Sequence, residues 1–343
     1  MLSVNFNKER QRLDVHFDMP LTAEAEEYEE WRLLRENLHS LGRAQFQLLN
    51  GKLAGLTLEV GGWMDFLKGS LSQEEFSIQK AFFDFLLKQQ NGTQGEGLQV
   101  NFHQNPFDSP ERYWRFILNQ GNLLLYFLNR VNWYMGPENR VVAPFPLHVD
   151  LESASTCNMN CPMCYRDMLD ETGQMDVDLF KKGIDECAQN KVFSVRLSWR
   201  GETLTHPRIK EMIAYATERI PNVSFLTNAF FLEEDITDCL INCGVSYVAV
   251  SFDGIGETYE KIRHPAKFQE NYMRLARFKV KRKKAGSKTP QIRLCTIWPA
   301  IKDDPDAYYN TMKEVSDYIV CNPYINFKGP MTIKPDFSRC TLP

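Results

Sequence analysis

The stretch from Pro146 to Cys164 reads PLHVDLESASTCNMNCPMC, a short β-rich run followed by a loop that carries three cysteines. From Pro146 onwards, similar β-rich runs alternate with segments of helical periodicity. Six such runs separated by helices imply parallel pairing through crossover connections, as in a barrel or an open sheet. Functional residues of such folds collect beyond the carboxyl ends of the strands, so chemistry is expected there.

This part of the chain is assigned to the α/β class because its predicted elements alternate. The predicted strands are His148–Leu151, Phe193–Trp199, Val223–Thr227, Tyr247–Phe252, Gln291–Ile297 and Ile325–Lys328. The predicted helices are Val177–Gln189, Arg208–Arg219, Glu233–Asn242, Tyr259–Lys283 and Pro305–Tyr318.

The N-terminal part of the chain has a different pattern of predicted elements, with long helical segments. An alternating stretch, Leu13–Phe17, precedes a long helical pattern over Thr22–Leu49, and apolar helices are predicted over Phe76–Lys88 and Pro110–Trp133. The sequence therefore predicts three parts: a mainly helical N-terminal domain over residues 1–143, a barrel domain over 144–330, and a tail over 331–343.

Composition is that of a folded globular protein, with 343 residues, 43% hydrophobic and 24% charged. The net charge of −4 gives no basic excess that would indicate a nucleic-acid partner. No run approaches the roughly 18 apolar residues that span a bilayer, and the first residues, MLSVNFNKERQRLDVHF, lack the apolar core of a signal peptide. We therefore expect a cytoplasmic protein without a membrane partner, whose nine cysteines are free, metal-bound or catalytic.

Cys157, Cys161 and Cys164 place three thiols within eight residues. Three soft ligands can hold three irons of a cubane cluster and leave the fourth iron open for an exchangeable ligand. A zinc site is the competing interpretation, but structural zinc takes a fourth protein ligand and no second paired knuckle follows nearby. Uncommitted thiols are the third interpretation.

The spacing of the three cysteines and their position after the first strand resemble those of the radical S-adenosylmethionine (SAM) enzymes. The signature of that family is a Cys-x₃-Cys-x₂-Cys loop in a partial TIM-type barrel, and the resemblance covers roughly Pro146 to Lys328. It implies a partial (β/α)₆ barrel, a [4Fe-4S] cluster held by the three cysteines, and SAM as cosubstrate.

A second motif, Ser198 to Pro207, reads SWRGETLTHP and is similar to the Gly-Gly-Glu-Pro segment of the family followed by His-Pro. The resemblance implies that Gly201 lets the backbone approach SAM and that the Glu202 carboxylate receives its amino group. Arg200 stands where the family has its first glycine, and Thr203 stands for the proline. The role of Arg200 stays open between a substrate contact and a surface position.

Two more strand ends carry family-like residues. Thr227-Asn228-Ala229 is similar to Thr-Asn-Gly, although Ala229 replaces the glycine, and Ser251-Phe-Asp-Gly254 is similar to Ser-Leu-Asp-Gly. Taken alone, an Asp-Gly pair is typical of a turn and Arg263 of a surface side chain. The resemblance implies further SAM contacts: Tyr165 beside the adenine, Ser251 and Arg263 on the ribose or carboxylate, and Asn228.

By resemblance, the reaction would cleave SAM reductively to methionine and a 5′-deoxyadenosyl radical that abstracts hydrogen from an unidentified substrate. A flavodoxin- or ferredoxin-type electron donor and oxygen sensitivity are implied. The N-terminal region shows no winged-helix pattern, which favours a carbohydrate or small molecule over a peptide, with a peptide-modifying maturase as the alternative. No catalytic residue can be assigned from the motifs.

Two interpretations of other classes stay open. In one, the cysteine loop binds zinc and the protein is a non-catalytic interaction module. In the other, the barrel binds SAM and transfers a methyl group by polar chemistry.

The remaining cysteines are interpreted by their surroundings. Cys187, Cys239 and Cys243 fall in helical patterns and Cys295 falls in a strand, so each is expected to be a small buried hydrophobe. Cys340 lies in a tail that resembles the approach to a SPASM-type auxiliary-cluster extension, which is not present in this sequence. We expect either a shortened chain, the favoured interpretation, or an ordinary tail thiol.

Overall fold

The computed structural model describes the backbone of four N-terminal strands, single positions between residues 108 and 133, and then residues 145–168 and 171–322. The chain divides into two compact units, Met1–Pro106 and Phe107–Pro343. The domain limits expected from the sequence, at residues 143 and 330, stay predictions.

The described residues of the first unit form an antiparallel sheet of order β1-β2-β4-β3. Its strands are β1 (Leu2–Asn7), β2 (Arg12–Phe17), β3 (Ala44–Leu49) and β4 (Lys52–Glu59). Strand β2 confirms the alternating stretch, whereas the helix predicted over Thr22–Leu49 is wrong for its last six residues. Residues 44–48 of this stretch alternate apolar and polar side chains, and Asn50-Gly51 after it is the strongest two-residue hairpin signal. The helix predicted over Phe76–Lys88 lies outside the described residues.

The described positions between residues 108 and 133 belong to the second unit. Arg112, Phe116, Tyr126, Asn129 and Trp133 are helical, as predicted for this region, and Asn119 lies in a turn.

The second unit contains six parallel strands in the order β10-β9-β8-β7-β6-β5. The strands are β5 (His148–Asp150), β6 (Ser194–Arg196), β7 (Asn222–Thr227), β8 (Tyr247–Ser251), β9 (Gln291–Ile297) and β10 (Tyr318–Asn322). The helices are α1 (Val177–Gln189), α2 (Ile209–Thr217), α3 (Glu234–Asn242), α4 (Gly256–Ile262), α5 (Phe268–Lys284), α6 (Trp298–Ile301) and α7 (Pro305–Met312). Sequential parallel strands with helical crossovers are the architecture of the predicted partial (β/α)₆ barrel.

Helix α1 shows why the local sequence adopts this fold. The side chain of Asp176 accepts hydrogen bonds from the Asp178 and Leu179 amides over 3.0 Å, which satisfies two of the open donors at the helix start. Phe180 and Ile184, four residues apart on one face, are fully buried against the sheet.

The sixth strand differs from its prediction. It is β10, whereas the predicted strand Ile325–Lys328 lies outside the described residues, and the helix predicted over Pro305–Tyr318 ends at Met312. The run Tyr318-Ile-Val-Cys is rich in residues that favour a pleated, half-buried surface, and it pairs with β9 instead of extending the helix.

One predicted helix is two helices. The pattern over Tyr259–Lys283 is broken between α4 and α5, because proline disfavours helix at the residue before it and cannot donate a backbone hydrogen bond. The break falls at His264-Pro265 and leaves Arg263 as the C-terminal cap of α4. Arg263 therefore lies just beyond the end of α4 and not on its helical surface.

Burial alternates along the strands of the barrel. In β9, Ile292 and Leu294 are fully buried in the core that packs against the helices, whereas Arg293 and Cys295 point the other way and are partly exposed. We call the side chains of this second orientation the inner face. In the described part of the chain, no helix has both the length and the apolar character needed to cross a bilayer.

Candidate active site

The cysteine loop follows β5 and is fixed to the neighbouring strand ends by its backbone. The Glu202 amide donates to the Thr156 carbonyl over 2.8 Å, and the Ser153 hydroxyl donates to the Leu197 carbonyl over 2.9 Å. Further along, the Asn160 amide donates to the carbonyl of His264 over 2.7 Å. The loop is therefore held from two sides at the carboxyl edge of the sheet.

The backbone of Gly201 packs closely against the backbone of Ala154 and Ser155, just before the cysteine loop. A Cβ atom at Gly201 would lie 2.3 Å from the carbonyl oxygen of Ala154 and 2.6 Å from the Cα of Ser155. Glycine is thus required here because two backbones approach each other, a role that the resemblance did not anticipate. The expected approach of Gly201 to SAM stays a prediction.

The three loop thiols differ in burial. Cys161 is buried, and Cys157 and Cys164 are partly exposed. The Cys157 sulfur accepts a hydrogen bond from the Met159 amide at 3.4 Å, and burial raises the pKa of both Cys157 and Cys161. Because thiolates are the metal-binding form, a positively charged group or a metal must offset this burial.

The donor set of the loop fits an iron–sulfur cluster. Within the described residues, no three His, Cys, Asp or Glu side chains are grouped as ligands of one metal ion. Three cysteine ligands match three irons of a [4Fe-4S] cubane.

Arg263 brings positive charge to the loop. Its Nη1 lies 3.7 Å from the Cys161 sulfur, and its Nε donates to Asp253 Oδ2 over 2.7 Å. Asp253 is completely buried, and its other oxygen accepts the Ile297 amide over 2.9 Å. The Asp253 carboxylate therefore holds the guanidinium against the loop.

Glu202 connects the second and third strand ends. Its carboxylate accepts hydrogen bonds from the Thr227 hydroxyl at 2.6 Å, the Asn228 amide at 2.7 Å and the Leu204 amide at 3.3 Å. Burial raises the pKa of Glu202 to about 7, although these three donors favour the ionised form. Both oxygens thus already take part in the scaffold.

Asn228 connects the third strand end to the cysteine loop. Its Nδ2 donates to Asn158 Oδ1 over 2.8 Å and lies 3.9 Å from the Cys157 sulfur. The Asn228 carbonyl accepts from Asn271 Nδ2 over 3.1 Å, which ties the same turn to α5. Contacts thus bring together five predicted site residues: Cys157, Cys161, Glu202 through its bond to the Asn228 amide, Asn228, and Arg263.

The other predicted residues stand apart from this group. Tyr165 begins a 3-10 helix directly after Cys164, and burial and that thiol raise the pKa of its phenol. Ser251 ends β8 opposite Cys295 and is partly exposed. Among the described residues, no contact joins Ser251 to the cysteine loop.

Arg200 forms an ion pair with Glu152, and the choice between a substrate contact and a surface position stays open. Its Nε lies 3.0 Å from each carboxylate oxygen of Glu152, and its backbone amide donates to the same carboxylate over 2.7 Å. Burial alone would raise the pKa of Glu152, but the hydrogen bonds and charge of Arg200 lower it. The pair joins the cysteine loop to the Gly201-Glu202 turn.

Sequence reasoning missed Asp253 and Glu152. Asp253 was hidden in an Asp-Gly pair that is typical of turns, and nothing in the sequence alone pairs Glu152 with Arg200. Of the remaining cysteines, Cys187 is buried as expected, whereas Cys239, Cys243 and Cys295 are only partly buried.

The fold and the site define an α/β barrel with a cluster-type cysteine loop at the carboxyl edge of its strands. Residues 151–319 match the family described as "Radical SAM superfamily", and through this domain the chain belongs to the superfamily of radical SAM enzymes. Enzymes of this superfamily use a [4Fe-4S] cluster and SAM.

Three curated relatives illustrate the similarity. The Bacillus subtilis "Antilisterial bacteriocin subtilosin biosynthesis protein AlbA" is 22% identical over 57% of this chain and 46% of its own length. A Pyrococcus furiosus "Tungsten-containing aldehyde ferredoxin oxidoreductase cofactor-modifying protein" is 30% identical over 35% of this chain and 38% of its own. The Rhodopseudomonas palustris "PqqA peptide cyclase" is 30% identical over 32% and 29%. The chain thus spans less than half of the length of each of these relatives.

Two solved structures match the chain with TM-scores below 0.5. Streptococcus suis SuiB bound to S-adenosylmethionine is 12% identical, with 95% of this chain and 63% of that chain covered at a TM-score of 0.45. BtrN in complex with AdoMet and 2-DOIA is 23% identical, with 38% and 52% covered at a TM-score of 0.33.

Proposed function

We propose that this protein binds a [4Fe-4S] cluster through Cys157, Cys161 and Cys164, cleaves SAM reductively, and uses the resulting radical to abstract hydrogen from a substrate. The observation that carries the proposal is the three-thiol loop at the carboxyl edge of the barrel, with Arg263 against one sulfur and Asn228 against another. When bound and reduced, the cluster supplies the electron that splits SAM into methionine and a 5′-deoxyadenosyl radical.

The residues of the chain have electrostatic and positioning roles in this proposal. The Arg263 guanidinium favours the thiolate form of Cys161, and Asp253 keeps that guanidinium in place. Asn228 donates toward Cys157 while its own position is fixed by Asn158. Both contacts place hydrogen-bond donors on sulfur, which is one of the means by which proteins set cluster potential.

The SAM contacts are proposed by resemblance to the family. Glu202 and Gly201 lie at the turn after β6, which would face the amino group of SAM. Ser251 and Arg263 would face its ribose or carboxylate, and Tyr165 its adenine. Ionised Glu202 would complement an ammonium. The hydrogen bonds that it accepts from Thr227 and Asn228 favour the ionised form and fix the orientation of the carboxylate.

For the substrate, we keep a carbohydrate or other small molecule as the first proposal and a peptide as the alternative. The curated relatives include enzymes named for a bacteriocin and for a peptide cyclisation as well as one named for a cofactor modification. A flavodoxin- or ferredoxin-type protein is the proposed electron donor, and the cytoplasm is the proposed location.

The nucleoside product tests this function. The full chain is reconstituted anaerobically with iron and sulfide, reduced with dithionite, and incubated with SAM. We expect 5′-deoxyadenosine and methionine, and we expect Cys161→Ala to form neither. Formation of S-adenosylhomocysteine would instead indicate methyl transfer by polar chemistry, and the absence of any nucleoside product would contradict the proposal.

A further inference from the structure

The inner face of the barrel is polar below the candidate active site. In one row across the sheet, the register aligns Asp150, Arg196, Ser224, Tyr247 and Gln291 on β5 to β9. Buried polar atoms without a hydrogen-bond partner in the described part of the chain recur on this face: Arg196 Nε, Ser224 Oγ, Gln291 Oε1 and Arg293 Nε. Such atoms are costly unless a ligand or water satisfies them.

Arg293 stands out among these residues. It follows Gln291 by two residues on the same face of β9, and it is aligned with Ala249 on β8 and Tyr318 on β10. No hydrogen bond, ion pair or cation–π contact joins its side chain to the part of the chain that the structure describes, and its Nε is buried. A guanidinium carries five donors and never loses its charge, so leaving it unpaired is expensive.

Three other arginines at this end of the barrel have carboxylate partners. Arg196 pairs with Asp150 over 2.7 Å, Arg200 pairs with Glu152, and Arg263 pairs with Asp253. The groups that act most strongly on Arg293 are the Cys295 thiol and the phenols of Tyr247, Tyr318 and Tyr126, none of which is a carboxylate. Among the described residues of the inner face, Arg293 is therefore a positive charge without a carboxylate partner.

The position of Arg293 suits a substrate group. Cys295 lies two residues further along β9, on the same face, and is aligned with Ser251 at the strand edge. Since a strand rises about 3.3 Å per residue, Arg293 lies about 7 Å below the level of Ser251. Both Arg293 and Cys295 are partly exposed, and Phe116 packs against Tyr247 and Tyr318 on the same face.

We propose that Arg293 binds a carboxylate group of the substrate inside the barrel, beneath the position proposed for SAM. This inference rests on the proposed function, of which it names the substrate class. A carboxylate matches the single charge and the planar fork of one guanidinium. A phosphate ester would carry a second negative charge, for which this face has no second unpaired cation among the described residues.

Cys295 supplies a built-in reporter for this site. The reconstituted full chain is treated with iodoacetate or with neutral iodoacetamide, and the alkylation rate of each cysteine is followed by peptide mass spectrometry. We expect Arg293→Gln to lower the iodoacetate-to-iodoacetamide rate ratio at Cys295 about tenfold, because the cation attracts only the anionic reagent. Arg293→Lys should keep most of the ratio. Cys239 on α3 is the internal control, whose ratio should be the same in all three proteins.

A second arm identifies the anion. Glutarate, inorganic phosphate and uncharged glutaramide are compared, at equal ionic strength, for their ability to slow iodoacetamide alkylation of Cys295. We expect glutarate to protect severalfold in the unmodified protein and not in Arg293→Gln. Stronger protection by phosphate would replace the carboxylate with a phosphate ester and overturn the proposal, as would equal protection by glutaramide or no protection at all.

The outcomes separate this site from the chemistry of the cluster. A Cys295 ratio that does not change in Arg293→Gln, or a Cys295 that neither reagent reaches, would overturn the site even if 5′-deoxyadenosine is formed. An Arg293-dependent ratio without SAM cleavage would leave the anion site standing and contradict the proposed function.

Discussion

Arg263 and Cys161 are 102 positions apart in the chain, yet the guanidinium Nη1 lies 3.7 Å from the thiol sulfur. The contact exists because Pro265 ends helix α4 and because Asp253, which follows strand β8, binds the same guanidinium. The position of the Arg263 guanidinium thus depends on the end of α4, and both the buried Asp253 carboxylate and the cysteine loop contact it.

The ion pair of Arg263 and Asp253 is expected to be important for stability. Arg263→Gln leaves the Asp253 carboxylate buried without its cation, so the free energy of unfolding should fall by about 3–5 kcal/mol in urea titrations. Lys261→Gln removes an exposed pair with Glu257 on the same helix and is the matched control, with an expected change under about 0.5 kcal/mol. Equal effects of the two substitutions would contradict the importance of the buried pair.

Gly201 is expected to tolerate no side chain. In Gly201→Ala, a methyl group would overlap the Ala154 carbonyl at 2.3 Å, so the cysteine loop must shift. We expect a loss of about 2–4 kcal/mol in unfolding free energy together with reduced iron uptake on reconstitution. Gly173→Ala, where an added Cβ meets nothing within 4 Å, should behave like the unmodified protein. Iron uptake that is full in Gly201→Ala would show that the loop does not depend on this contact.

Glu202 gives a pH dependence of defined sign. Its pKa is about 7 in the fold and 4.5 in the unfolded reference, so the folded state holds the proton more tightly. The stability contributed by this group is therefore greatest below pH 4.5 and falls as the pH rises to 7, by on the order of 3 kcal/mol.

Glu202→Gln cannot ionise and should lack this fall. Urea unfolding at several pH values between 4.5 and 8 measures it as the difference in stability between the two proteins. The substitution also replaces one acceptor oxygen by a donor, which adds a cost that does not vary with pH. A difference that is constant over this range, or that changes in the opposite direction, would contradict a raised pKa.

Much of the barrel could be predicted because local signals and tertiary structure agree in it. Helix α1 and strand β9 have their predicted limits, since one has a capping Asp176 and an amphipathic pattern and the other a clear alternation. The N-terminal sheet was missed because a helical apolar pattern was extended past the point where the Asn50-Gly51 hairpin signal should have ended it.

The cysteine loop was readable from spacing, but its surroundings were not. Arg263 and Asp253 lie ten residues apart and meet only because the barrel places a helix end beside a strand end. The lone charge of Arg293 could not be predicted either, because the sequence does not show which of the many charged residues lack partners. Long-range pairing of side chains is a property of the folded chain.

Iron and sulfide analysis after anaerobic reconstitution tests the central claim most directly. We predict about four irons and four sulfides per chain with broad visible absorption, and loss of both in Cys161→Ala. Cys187→Ala, which removes a buried thiol from the core, should keep the full cluster and is the control. Binding of a single zinc ion without sulfide, or an unchanged iron content in Cys161→Ala, would contradict the account.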